Sequence, residues 1–406
     1  MDALPAPGAL VRMARTRARP PALPRARSVT ITRARLVALS VVIPICHVAS
    51  LDARAQQVAH DASTAPAARS GAELYRDACA ACHGVDGTGQ PRSVVGFDLP
   101  LPDFTDCSFA TREPDADWFA VVHEGGGVRG FHRMMPAFGE ALTDEEIQRT
   151  LDYIRTLCEE ADEWPRGELN LPRALVTEKA YPEDEAVFTA TVGVDDPGIV
   201  LGEFVFEKRF GPRSQVEVSV PFGAAEERGG GWDGGLGDVA VGLKHVLFHS
   251  LASGTILSIA GEVILPTGDD ALSGGTTVFE PFVAIGQLLP ADAFLQFQGG
   301  VGLPFDTDEA ENEAFWRGVV GKSFTEGRWG RVWSPMLEVL GERELVSGAT
   351  SRWDLLPQIQ VTLNRRQHVM VAFGVRVPLN DREFRRTAFM AYLLWDWFDG
   401  PFFEGW

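Results

Sequence analysis

Val369-Met370-Val371-Ala372-Phe373-Gly374-Val375-Arg376-Val377 alternates a bulky apolar residue with a small or polar one at almost every step. A period of two belongs to an extended strand with one face turned to an apolar medium. The pattern recurs upstream. Val216, Val218, Val220 and Phe222 interleave with Gln215, Glu217 and Ser219, and Leu257, Ile259 and Val263 with Ser258, Ala260 and Glu262. Trp353, Leu355, Ile359, Val361 and Leu363 interleave with Asp354, Gln358, Gln360 and Thr362. Segments of about 10 residues with one apolar face and one polar or tiny face are the signature of transmembrane β-strands.

About twelve such strands are expected, beginning near residues 186, 199, 214, 237, 255, 277, 293, 314, 331, 352, 367 and 384, and an even number suits a bacterial barrel. Their connections alternate in length. Gly211-Pro212-Arg213, Ser250 to Gly254, Pro290 to Asp292 and Arg365-Arg366 are short; Ala224 to Gly235, Thr267 to Thr276, Phe305 to Glu313 and Glu344 to Ser351 are long. Short periplasmic turns and longer outer loops are what such a barrel needs. Acids (Asp269, Asp270, Asp306, Asp308, Glu309) fall in the long loops, and Arg213, Arg328, Arg365 and Arg366 in or beside the short turns. A soluble sandwich also alternates, but it buries one face against a partner sheet and rarely needs twelve strands. The chain ends in Phe402-Phe403-Glu404-Gly405-Trp406, and a terminal aromatic resembles the assembly signal of outer-membrane proteins. Residues 235–244 (GLGDVAVGLK) and 262–269 (EVILPTGD) are similar to an outer-membrane transporter family associated with phenol degradation.

Upstream the chemistry changes. Cys79-Ala80-Ala81-Cys82-His83 is a C-x-x-C-H motif, which reads as c-type haem attachment. Two thiols on one helical turn can reach two vinyl groups of one porphyrin, and the following histidine falls beneath the iron. A redox dithiol or half a zinc site would carry the same letters. No second cysteine pair completes a zinc site, and no strand precedes the motif as a thioredoxin-like reading wants.

Around the motif, residues 71–158 resemble a class I cytochrome c domain, a small helical fold wrapped around one haem. Gly71 and Tyr75 match the helix that precedes attachment in that family. The family's distal methionine sits in a loop ahead of the last helix, where this chain has Met134-Met135-Pro136-Ala137-Phe138-Gly139. The resemblance implies covalent haem c on Cys79 and Cys82, with His83 as proximal ligand and Met135, the residue before Pro136, as distal ligand. Met134, His132 and His123 are the rivals for the sixth position. The last helix also stands on its own physics: Thr143 with Glu146 forms a capping box, and Ile147, Leu151, Ile154 and Leu157 recur at helical spacing. Asp115 to His123 reads as a middle helix ended by Gly125-Gly126-Gly127. Cys107 and Cys158 remain for a disulfide in an oxidising compartment.

The residues before Leu36 carry eight arginines and one acid, and an apolar run from Leu36 to Ser50 ends in Ala53-Arg54-Ala55. That is a secretory signal peptide with a long basic region. The whole chain has a net charge of −19. Removing residues 1–55 leaves about −26, a surface that repels nucleic acid and attracts basic proteins or metal cations.

The expected organisation is an α + β multidomain chain. Signal peptide 1–55 and flexible linker 56–70 precede a cytochrome domain 71–160, a charged, proline-containing linker 161–184 and an antiparallel barrel 185–406. Twelve strands tilted about 40° make a backbone cylinder roughly 24 Å across with a lumen of about 14 Å. A domain roughly 30 Å wide cannot enter it, so the cytochrome, on the periplasmic side, should cap the periplasmic mouth or swing on its linker. The function expected is electron transfer between a periplasmic protein and something entering the lumen, at the outer membrane of a Gram-negative bacterium. The competing class is an outer-membrane pore for a small molecule, with the haem domain as sensor or gate. The architecture also resembles the fused cytochrome–porin iron oxidases, with a fuller cytochrome and a smaller barrel, which makes ferrous iron oxidation a hypothesis.

Overall fold

The computed structural model describes residues 68–194, 198–226, 231–383 and 385–396. The expected leader 1–55, most of the tether 56–70 and the aromatic terminus Phe402 to Trp406 lie outside these residues.

The helical region is built on two capped helices. α1 (Gly71–Ala78) begins at Ser70, whose hydroxyl accepts from the Glu73 amide while the Glu73 carboxylate accepts from the Ser70 amide. α2 (Ala80–His83), α3 (Arg92–Val95) and α4 (Cys107–Ala110) are single turns, and α5 (Asp115–Glu124) stops at Gly125 with φ +83°. α6 (Asp144–Arg155) opens with the Thr143–Glu146 capping box read from the sequence. Its Ile147, Leu151 and Ile154 are buried in one cluster with Leu74 and Tyr75 of α1, each worth about 1.5–3 kcal/mol. The two helices touch because Gly71 lacks a side chain: a Cβ there would fall on the carbonyl oxygen of Arg149.

The rest is one antiparallel sheet. Its strands are β1 (Glu185–Gly193), β2 (Ile199–Phe210), β3 (Ser214–Glu226), β4 (Trp232–Leu236), β5 (Ala240–Ser250), β6 (Thr255–Ile264) and β7 (Val278–Leu289). They continue with β8 (Ala293–Pro304), β9 (Glu313–Lys322), β10 (Phe324–Thr325), β11 (Val332–Glu344), β12 (Arg352–Thr362), β13 (Val369–Pro378) and β14 (Ala388–Asp396). β4 and β10 are short additions paired with β3 and β11; the other twelve close on themselves through β14 on β1 and β9 on β11. The strand starts fall within a few residues of those expected. The two short strands were not foreseen, because they extend loops rather than cross the cylinder.

The barrel is inside out relative to a soluble protein. Phe188, Phe204, Leu243, Ile259, Leu295, Phe373 and Leu393 stand exposed on its exterior, while Glu207, Gln215, Lys244, Ser258, Gln298 and Glu338 are buried within. A large continuous apolar exterior needs a lipid solvent. The sandwich alternative is therefore excluded.

The lumen is not empty. Residues 161–184, expected as a linker between two bodies, instead run into the barrel and fill it. Leu169, Ala180 and Tyr181 pack with Val246, Ile256, Phe282 and Phe315; Leu171 and Ala174 with Phe294, Val319 and Met336; Leu175 with Leu340, Leu356 and Met390. Irregular backbone away from water needs partners, and the wall supplies them. Gln358 accepts from the Leu175 amide (2.9 Å), Glu338 from Thr177 (2.6 Å), Gln298 from Glu178 (3.1 Å) and Gln215 from Glu183 (2.7 Å). Gln296, Tyr392 and Lys244 donate to the carbonyls of Pro172, Arg173 and Lys179. Arg173 is the anchor, ion-paired to Glu185 (2.6 Å), Glu207 (3.0 Å) and Glu178 (3.3 Å).

The helical region packs against the short-turn end of the barrel. Arg129 donates to the Trp329 carbonyl (2.7 Å), Arg328 pairs with Asp144 (2.7 Å), His368 meets Glu113 (3.0 Å), and Arg213 donates to the carbonyl of Glu163 (3.0 Å). Of the two dispositions expected, capping a mouth is the one adopted.

Candidate haem site

Cys79 lies at the seam of α1 and α2 with helical backbone, its amide bonded to the Tyr75 carbonyl (2.8 Å). The amides of Cys82 and His83 bond back to the Cys79 carbonyl (3.1 and 3.0 Å), so Cys79-Ala80-Ala81-Cys82-His83 forms one turn. Residues three apart share a helix face, and both thiols are free. Gly84, with φ +77°, ends the turn, and the Tyr75 hydroxyl ties its carbonyl down (2.8 Å). Burial, with a smaller effect from Cys82, pushes the Cys79 thiol up to about 11, so it is protonated.

The His83 ring stacks on Phe104 with centroids 5.0 Å apart. Burial lowers its pKa, which keeps the imidazole neutral, the form that binds metals. Its Nδ1 is buried without a hydrogen-bond partner. Phe104 belongs to the same apolar cluster as Leu74, Tyr75, Ile147 and Leu151, and both Cys79 and Met135 pack against that cluster.

The methionine loop is pinned by backbone. Gly126 donates to the Met135 carbonyl (3.0 Å), Phe138 to Val122 (2.9 Å) and Gly139 to His123 (3.0 Å). Gly126 is required at this crossing, since a Cβ would sit 3.2 Å from the Met135 Cβ and closer still to the His132 carbonyl. Met134, by contrast, is 49% exposed. His132 is exposed and accepts from the Met134 amide (3.1 Å). The His123 ring bonds Glu124 (2.8 Å) and leans on Trp329 (5.8 Å), at the contact with the barrel. His132 is thus engaged away from the apolar cluster, whereas His123 stacks on Phe119 (6.0 Å), which packs against that cluster.

Cys107 and Cys158 are bonded, with Cα atoms 5.2 Å apart, joining α4 to the end of α6. Sequence reading missed the contact surface between the two regions. Trp329 stacks on Phe119 (5.8 Å), and its carbonyl accepts from Arg129 (2.7 Å). No local spacing could have signalled it, because its partners lie about 200 residues apart. A free thiol pair on one turn, a neutral imidazole with an unspent nitrogen and a methionine on a shared apolar cluster fit a haem.

Residues 66–154 match the family described as cytochrome C oxidase, cbb3-type, subunit III. Among curated proteins, none matches the sequence. In solved structures the chain is similar to an outer membrane channel from Pseudomonas putida F1, with 12% identity over 55% of this chain and 99% of that one and a TM-score of 0.40. The NanC porin (8% identity, 52% and 98% covered, TM-score 0.37) and the KdgM porin (8%, 52% and 98%, 0.35) are also similar. The family match implies haem c. The chain therefore joins a cytochrome c-type domain at residues 66–154 to a closed twelve-strand antiparallel β-barrel.

Proposed function

We propose that this protein is a monohaem c-type electron carrier held in the outer membrane of a Gram-negative bacterium, with its haem domain on the periplasmic side. The observation that carries the reading is the convergence of Cys79, Met135 and, through Phe104, His83 on one apolar cluster. Cys79 and Cys82 would hold the group covalently, and His83 and Met135 would ligate its iron. When bound, the haem supplies one-electron chemistry. The surrounding Leu74, Phe104, Ile147 and Leu151 exclude water from it. With both iron ligands supplied by the chain, electron transfer would be favoured over catalysis, and a methionine ligand would favour a high potential. The apolar barrel exterior supports the membrane assignment, and docking at the short-turn end supports the periplasmic one, because bacterial barrels keep their short turns there. The acidic chain suits a basic redox partner.

A reduced-minus-oxidised spectrum of washed outer membranes, with haem staining of the denatured chain, tests this. A c-type spectrum in the membrane fraction is expected; haem lost on denaturation, or protein left in the aqueous fraction, overturns it. The second reading is a pore gated by the haem domain, which is consistent with the barrel but requires residues 167–184 to leave the lumen. Single-channel recording separates the two.

A further inference from the structure

Residues 167–184, the plug of the lumen, enter and leave the barrel at its short-turn end, and one stretch of the helical region meets both feet of the plug. That stretch is residues 111–115, between α4 and α5. At the entry, the Gly167 amide donates to the Thr111 carbonyl (2.8 Å). The two backbones lie so close that a Cβ on Gly167 would fall on the Arg112 carbonyl oxygen. Beside them Arg166 pairs with Asp115 (2.8 Å) and Glu168 (2.9 Å), and the Asp115 amide donates to the Glu168 carboxylate (3.0 Å). At the exit, Arg112 pairs with Asp184 (2.5 Å), whose other oxygen takes Lys208 (2.6 Å) and the Arg209 amide (3.0 Å) of β2.

The stretch is itself firmly held. The Cys107–Cys158 disulfide ties the turn before it to the end of α6. Arg155 of α6 donates to the carbonyls of Ala110 and Glu113 and to the Asp115 carboxylate (2.9 Å), and it lies over the Trp118 ring (4.2 Å). Trp118 packs against the apolar cluster of the haem site. On the barrel side, Glu113 meets His368 (3.0 Å). The contacts with the lumen wall hold the middle of the plug, whereas this stretch holds its two ends at the mouth that the helical region caps. Withdrawal through that mouth requires both feet to swing off residues 111–115.

We propose that residues 111–115 are a latch, and that the plug and its two feet are released together in one step. The covalent connection from Cys158 to Gly167 would by itself leave the plug free to move. The latch instead makes displacement of the plug and undocking of the haem domain a single event, each biasing the other equally. The inference goes beyond electron transfer and holds whether or not the opened barrel conducts.

Hydrogen exchange of the haem-loaded full chain in detergent tests this. The Gly167 amide at the latch and the Leu175, Thr177, Glu178 and Glu183 amides on the lumen wall should exchange at one common rate, as one opening unit. A second measurement uses Ala180→Cys, since Ala180 is buried in the plug against Val246 and Ile256. Maleimide attachment at position 180, located by mass spectrometry, should accelerate by about tenfold or more when Gly167→Ala or Arg112→Gln is added. Arg328→Ala, which breaks an exposed contact with Asp144 that does not touch the plug, should leave it unchanged. The wild-type exchange decides by itself should the latch variants fail to fold. Gly167 exchanging much faster than the wall-bonded amides, labelling unaltered in a folded latch variant, or equal acceleration by Arg328→Ala each overturns the proposal. None of these readouts uses the haem spectrum or conductance, so their failure leaves the electron-carrier reading standing.

Discussion

Met134 and Met135 are adjacent and chemically identical, yet they meet different surroundings. Met135 packs on the cluster that holds Cys79, while Met134 is half exposed. Met135→Ala should open the sixth position, so that carbon monoxide binds the reduced protein, whereas Met134→Ala should leave the spectrum as in wild type. Carbon monoxide binding in Met134→Ala alone would reverse the assignment. Asp117 makes a second residue-level prediction. Burial first and then the nearby Glu113 raise its pKa to about 6, against the pull of Arg129. An acid whose folded pKa lies above its unfolded value stabilises the fold below the unfolded pKa, and that contribution is lost as pH rises through the folded one. Unfolding of the haem domain, followed by haem absorbance, should therefore show stability falling from pH 4 to pH 6 by at most about 3 kcal/mol on this account. Asp117→Asn should flatten that slope, and an unchanged slope would assign it to other groups.

At the scale of elements, the disulfide closes a loop of 51 residues between α4 and the end of α6. In the chain-entropy view this is worth about 4 kcal/mol. Thioether-bound haem survives thiol reductants, so unfolding with and without reductant isolates that contribution, and Cys107→Ser should match the reduced protein. A reductant effect persisting in Cys107→Ser would point to other chemistry. The elements also mark where the sequence is legible. Barrel strands announce themselves because lipid reads one whole face, turning Val216, Val218 and Val220 into an unbroken apolar register. The haem-attachment turn and the capping box at Thr143 are equally open, since their chemistry is complete within a few residues. The segment 161–184 is not, because its charges look like solvated linker until the wall is known. Its signal was a period of two, Leu169, Leu171, Arg173, Leu175, Thr177, Lys179 and Tyr181 all being buried. That period was hidden because polar and apolar residues share the buried face, each chosen to meet a lumen partner more than 100 residues away or just beyond the plug. The docking of Trp329 on Phe119 was illegible for the same reason.

At the scale of the whole molecule, the plug decides whether the barrel is an anchor or a passage. A lumen about 14 Å wide would pass small solutes, but it is filled by Leu169 to Asp184. Removing one member of a buried ion pair costs about 3–5 kcal/mol, and Arg173 is shared by Glu178, Glu185 and Glu207. Arg173→Ala should therefore raise the fraction of barrels with a displaced plug by about a thousandfold. In planar bilayers the wild-type chain should be silent, Arg173→Ala should give brief openings, and replacement of residues 168–182 by a glycine–serine segment should conduct steadily. Haem spectra should be unaltered in all three, because none of these residues touches the apolar cluster of the helical region. Steady wild-type conductance equal to that of the replaced chain would mean that the plug does not occupy the lumen in a membrane, and the barrel would then have to be read as a passage.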